Sequence, residues 1–190
     1  MTNIGPDCII SYIDMIDTGE LLNNSKGVGV TIIRNMHDAI MKSKTWIRYH
    51  EEICFWNDSV LLLAKVDVSQ RDTYKHAIDE VRKIKKIIDR INSPKGSFVV
   101  CVKGQAFPPP VDWKVNEEIP RMNYLQASSL AFANCFTIID SLKNNDIHWY
   151  IEERIIEKVK LRKEDSNQEI DVFPRKTKRV IFMFTGDIYK

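Results

Sequence analysis

The chain has 190 residues, 44% of them hydrophobic and 28% charged, the make-up of one globular domain large enough to bury a core. Its 28 basic and 26 acidic residues leave a net charge of +2, which gives no broad surface for nucleic acid. No apolar run approaches the roughly 18 residues of a membrane span, so neither a membrane partner nor a nucleic-acid partner is expected.

Cys8, Cys54, Cys101 and Cys135 stand singly in apolar surroundings, with no CxxC and no Cys/His cluster, against zinc and against a disulfide framework. The first residues lack the basic and apolar regions of a signal peptide. Reduced, buried thiols in a cytoplasmic protein are the expectation. The basic runs Arg82 to Lys86 and Lys158 to Lys163 read as solvated faces.

In chain order, a strand is expected from Cys8 to Asp14. A helix follows from Glu20 to Ser43, interrupted at Gly27 and Gly29, where it can divide; His37 on it reads as an ordinary surface or packing residue. Tyr49 to Trp56 and Ser59 to Val66 form a hairpin around Asn57-Asp58. A helix from Gln70 to Ile91 carries an apolar stripe at Ala77, Val81, Ile84, Ile87, Ile88 and Ile91, and Asn92 to Gly96 stops it. Phe98 to Val102 is a short buried strand. Pro108 to Pro110 opens an irregular excursion to about Arg121, and an apolar helix runs from Tyr124 to Leu142. His148 to Ile155 and Arg179 to Phe184 read as closing strands, with a polar mobile loop from Lys163 to Glu169 between them. This order suits a single α+β domain over residues 1–190, an antiparallel sheet covered by helices on one face.

Two segments carry the chemistry. Asp14 ends the first apolar strand, and Asp58 sits in the hairpin turn. Taken singly, each is a turn former or helix cap, and Asp17 with Thr18 fits that role just before Glu20-Leu21-Leu22. Together they bring two carboxylates side by side, and like charges so held need a counter-cation. Hard divalent ions are bound through one or two carboxylates plus substrate phosphates, so a metal-nucleotide site is the leading reading.

Tyr12-Ile-Asp-Met-Ile-Asp-Thr-Gly-Glu-Leu and Phe55-Trp-Asn-Asp-Ser-Val-Leu, with the aspartates 44 residues apart, resemble the first strand and central hairpin of the class III nucleotidyl cyclase catalytic domain, the adenylate and guanylate cyclases. Asn57 takes the place of the family's glycine. Ser97 to Ala106 is similar to the family's later strand. The resemblance covers roughly residues 8 to 140 and implies a ferredoxin-like cyclase/palm fold. It implies two Mg2+ or Mn2+ ions on Asp14, Asp58 and the backbone carbonyl of Met15, with the amides of Ile16, Asp17, Thr18 and Gly19 at the triphosphate. It further implies a homodimer, because family sites are shared between subunits.

The chain departs from the family pattern at two places. Cys54 stands where the family reads a purine with Lys or Glu, four residues before the second aspartate. On the late helix, Asn134 falls where the family's transition-state arginine belongs and Leu130 where its asparagine belongs; Met122 to Leu142 contains no Arg or Lys. Such a relaxed pattern resembles the bacterial pyrimidine cyclases of antiphage defence, with Tyr49 or Glu52 reading the base and Lys103 or Arg121 replacing the lost cation, within the subunit or across the dimer interface. The alternative is a catalytically inactive cyclase-fold module that binds nucleotide or a partner protein.

Overall fold

The computed structural model describes residues 7–24, 27–44, 52–105, 130–162, 164–172 and 177–189. Its elements are β1 (Asp7–Met15), α1 (Thr18–Asn24), α2 (Val28–Ser43), β2 (Glu52–Trp56), β3 (Ser59–Lys65), α3 (Arg71–Ile91), β4 (Ser97–Gln105), α4 (Leu130–Leu142), β5 (Trp149–Glu152), α5 (Glu153–Ile156), β6 (Ser166–Val172) and β7 (Thr177–Phe184). The seven strands form one sheet in the order β2-β3-β1-β4-β5-β7-β6, so the first strand of the chain lies inside it, between β3 and β4.

The α+β expectation holds, with two corrections. β4 and β5 run parallel, whereas every other neighbouring pair is antiparallel. A parallel pair needs a crossover, and α4 lies on it. Helices also cover both faces of the sheet rather than one. On one face Ile9, Ile13, Leu62, Ala64, Val99 and Cys101 meet Met36 and Ile40 of α2 and Tyr74, Ile78, Val81, Ile84 and Ile88 of α3. On the other, Cys8, Ile10, Leu61, Leu63, Phe98 and Val100 meet Ala131, Cys135 and Ile138 of α4. Both residue parities of β1 and β4 are thus apolar, because both sides of these strands are dry.

The expected first helix is divided, with Gly27 between its parts at φ 87°, a conformation glycine adopts without steric cost. α3 occupies its expected span within one residue. The expected polar loop at 163–169 is instead largely β6, an edge strand whose only buried residues are Ile170 and Val172. The closing strand expected to reach Ile155 stops at Glu152, which is fully buried; its carboxylate pairs with Arg154 and, at 3.1 Å, with Arg179. The beginning of the expected helix at Tyr124, the proline excursion, Tyr49 and Arg121 lie outside the described residues.

Candidate active site

The site is laid out by strand register. Asp14 of β1 lies opposite Ser59 of β3 and opposite Phe98 of β4, and Ser59 in turn lies opposite Trp56 of the edge strand β2. Directly opposed residues share a face of a sheet, so Trp56, Ser59, Asp14 and Phe98 make one transverse row. Two residues along, Cys54, Leu61, Tyr12 and Val100 make the next. Both rows belong to the face that α4 covers.

The hairpin turn delivers the second carboxylate. Asn57 adopts φ 56°, a left-handed conformation that Asn tolerates better than most residues. His37 of α2 holds the turn: its Nε2 donates to the Asn57 carbonyl at 2.8 Å, and its ring packs on Phe55 with centroids 4.4 Å apart. The Met15 amide donates to the Asp58 carbonyl at 3.3 Å. Across the β1–α1 turn, Thr18 Oγ1 donates to Asp58 Oδ2. Asp14 and Asp58 therefore meet at one end of the sheet, one on a strand and one on the turn beside it.

Asp14 is gripped from its own face. Ser59 Oγ donates to Asp14 Oδ1 at 2.6 Å, and the Tyr12 hydroxyl, 2.7 Å away, donates to Ser59 Oγ. Burial pushes the Asp14 carboxyl up to about 6; the Asp58 charge adds to the rise, while the Ser59 hydrogen bond and the Lys143 ammonium oppose it. Burial and the Asp14 charge push the Tyr12 hydroxyl up to about 12. Ser59→Ala is therefore expected to raise the Asp14 pKa further and to cost about 1.5–3 kcal/mol at pH 8, the range for a hydrogen bond to a charged group. Titration of the Asp14 carboxyl by NMR checks this; an unchanged pKa would show that Ser59 does not hold it.

Such a pair fits a hard divalent cation. The Asp58 charge raises the cost of ionising Asp14, which a cation relieves. Among the described residues no group of three or more His, Cys, Asp or Glu converges to form a protein-only cage. Two carboxylates with room for substrate oxygens is the donor set Mg2+ or Mn2+ takes.

Beside the pair, Tyr12, Cys54, Trp56, Ser59, Leu61 and Phe132 line a cavity of about 140 Å³. Its wall is aromatic. Phe136 of α4 packs 5.3 Å from Tyr12, 6.4 Å from Trp56 and 5.0 Å from Phe132, centroid to centroid. Trp56 is 63% exposed.

The structure separates the other expected site residues. Ile16 is buried, its amide donates to the Gly96 carbonyl at 3.1 Å, and its carbonyl accepts from Asn92 Nδ2 at 2.9 Å. Its N–H is thus spent on the fold, which corrects its expected place at a triphosphate. Asp17 takes φ 60° and pairs with Lys95 at 2.8 Å, the turn role already open to it. Gly19 has open space where a Cβ would stand, so nothing in the chain itself requires glycine there. Glu52 pairs with Leu63 in the hairpin, two residues from Cys54.

Lys103 lies opposite Ile9, five residues along β1 from Asp14 and on the other face; its ammonium is 3.5 Å from Asp7 and over the Tyr74 ring. It cannot serve the carboxylate pair of its own subunit. Asn134 is 6% exposed and lies at helical spacing from Ala131, Cys135 and Ile138 on α4.

Tyr12, Ser59, Trp56, Phe132 and Lys143 were not singled out from sequence. Ser59 follows Asp58 directly, and Tyr12 and Trp56 each lie two residues from an aspartate. Strand alternation from Asp14 would have found Tyr12; the α4 residues needed the packing of the helix.

No protein-family model matches the sequence, and no curated protein matches it. Solved structures do match over nearly the whole chain. The guanylyl cyclase Cya2 aligns with a TM-score of 0.62 at 14% identity, covering 98% of each chain. The adenylyl cyclase CyaB from P. aeruginosa aligns at 0.59 and 11%, covering 96% of this chain and 95% of that one. The catalytic core of a rhodopsin-guanylyl cyclase with converted specificity, in complex with ATPαS, aligns at 0.53 and 13%, covering 95% and 96%. The fold is that of nucleotidyl cyclase catalytic domains. At such identities the likeness concerns the fold alone.

Proposed function

We propose that the chain is a metal-dependent nucleotidyl cyclase, converting a nucleoside triphosphate to its 3′,5′-cyclic monophosphate and pyrophosphate, and acting as a homodimer. The observation that carries this reading is the meeting of Asp14 and Asp58 at one strand end of a cyclase fold. Two Mg2+ or Mn2+ ions held by Asp14, Asp58 and the Met15 carbonyl would neutralise phosphate charge and make the ribose 3′-hydroxyl easier to deprotonate.

The chain's own residues prepare the site. Tyr12 and Ser59 fix the Asp14 carboxylate in one orientation, and Thr18 fixes that of Asp58. The aromatic cavity beside them supplies flat walls for a base. Cys54 gives that cavity a thiol, a weak hydrogen-bonding group, so the polar edge of a purine would go unpaired at a cost of roughly 1–3 kcal/mol. UTP or CTP is accordingly the proposed substrate, with Tyr49 and Glu52 as the proposed base contacts and antiphage signalling as the proposed setting.

A second reading, an inactive cyclase-fold module, is favoured by one feature: Met122 to Leu142 lacks any Arg or Lys. Incubating the protein with all four nucleoside triphosphates and Mn2+, then identifying products by mass, separates the two. The expected result is cyclic UMP or cyclic CMP in excess of the purine products. Cyclic AMP or cyclic GMP as the main product would end the pyrimidine reading and leave the cyclase, whereas no product would favour the inactive module. Asp58→Ala is expected to abolish turnover with little change in melting temperature, since a turn carboxylate adds little packing. Equal turnover in parent and variant would reduce Asp58 to a turn residue.

A further inference from the structure

The stretch that lacks a cation ends at Leu142, and the next residue is Lys143. Its amide donates to the Ile139 carbonyl at 2.9 Å, which continues the last turn of α4. A cation is favoured there by the helix dipole. The residue is exposed, yet its ammonium is not directed away from the molecule: Nζ stands over the Phe98 ring, 5.0 Å from the centroid. Phe98 is the residue directly opposite Asp14 in the β1–β4 register, on the same face of the sheet. Lys143 therefore closes the transverse row Trp56, Ser59, Asp14 and Phe98 at the end away from the hairpin. Among the described residues its ammonium makes no hydrogen bond or ion pair, and its charge lowers the pKa of the Asp14 carboxyl.

We infer that Lys143 is a phosphate-binding residue of its own subunit's site, facing the polyphosphate of a nucleotide held at Asp14 and Asp58. This rests on the cyclase reading for the identity of the ligand and on the geometry for the residue. A cation carried at the end of α4 would supply from within the subunit the positive charge that the body of that helix lacks. The aromatic ring beneath it serves as a platform that keeps a flexible lysine over the site.

The test uses binding, so that it does not depend on turnover. Affinities of a 3′-deoxynucleoside triphosphate, which cannot cyclise, and of the corresponding nucleoside are measured for the parent, Lys143→Gln and Lys143→Arg with Mn2+ present. Lys143→Gln is expected to weaken the triphosphate about tenfold, the scale of one charge-assisted hydrogen bond, and to leave the nucleoside unchanged. Lys143→Arg should restore most of the loss. Equal triphosphate affinity in parent and Gln variant, a parallel loss for the nucleoside, or no triphosphate binding by the parent would each overturn the assignment.

A parent that binds the analogue with the expected Lys143 dependence but forms no cyclic product from any natural triphosphate would refute the cyclase reading alone. Mixing Asp58→Ala and Lys143→Gln subunits gives a further arm. If Lys143 serves its own subunit's carboxylates, neither site of a mixed dimer is whole, and at limiting triphosphate the mixture is no more active than the Lys143→Gln protein alone. Activity above that of the Lys143→Gln protein would place Lys143 in the partner's site and overturn the assignment.

Discussion

Asp14→Asn is expected to stabilise the metal-free protein by at most about 3 kcal/mol at pH 8 and to abolish turnover. The carboxyl titrates near 3.8 when unfolded and near 6 in the fold, and each unit is worth about 1.36 kcal/mol. Because its folded pKa is the higher one, the native state binds more protons between these values, so stability falls as pH rises through this window. Below about pH 4 the carboxyl is neutral in both states and Asn should bring no gain. Above about pH 7 the ionised group carries its full penalty from burial and from Asp58, which Asn removes. Urea unfolding at pH 4 and pH 8 checks this, and an equal difference at both would show that the carboxylate is not strained.

Added Mn2+ should invert the order, because only the parent gains the linkage stabilisation of a ligand that binds the native state. Instability of this kind at the proposed reacting centre is the usual cost of a functional site.

Gly104→Val is expected to destabilise the protein by about 3 kcal/mol, near the upper end for overpacking. A Cβ on Gly104 would stand 2.3 Å from the Ala131 Cβ and 3.5 Å from its Cα. Neither atom is the end of a flexible side chain, so α4 itself would have to move. The same helix carries Phe132, Phe136 and, just past its end, Lys143, so the cavity and the proposed phosphate contact should loosen together. Gly104→Ala should show a smaller loss, and Ala131→Gly should recover most of it in the double variant; additive losses would show that the two positions do not touch.

How far the sequence spoke for the fold can be traced residue by residue. Asp14 and Asp58 were legible because each interrupts an apolar pattern. The face-to-face arrangement of Tyr12, Ser59 and Asp14 follows from alternation once the register is known, but register is a tertiary fact. Helices on both faces were signalled by the unbroken apolar runs Cys8 to Ile10 and Phe98 to Val102, which only strands dry on both sides carry. β6 was hidden because Ser166, Asn167, Gln168 and Glu169 are all exposed, and an edge strand needs no buried face there. Lys103 looks suitable by residue type, yet it belongs to the face opposite Asp14 within its own subunit. Residue type alone does not carry that fact.

The position of β1 between β3 and β4 has a consequence for synthesis on the ribosome. Cys8 to Ile13 is made before both of its neighbours, whose paired residues end at Lys65 on one side and Gly104 on the other. At roughly 5–20 residues per second, the strand waits on the order of 5–20 s before both neighbours exist. Through that interval it is an apolar segment with two open edges, the kind of surface that pairs with other nascent chains or recruits a chaperone. The carboxylate at its end cannot meet Asp58 and Phe98 until the third strand of the trio arrives. A chain stalled or truncated before residue 105 should therefore expose an aggregation-prone strand, whereas one that has passed it can close the centre of the sheet.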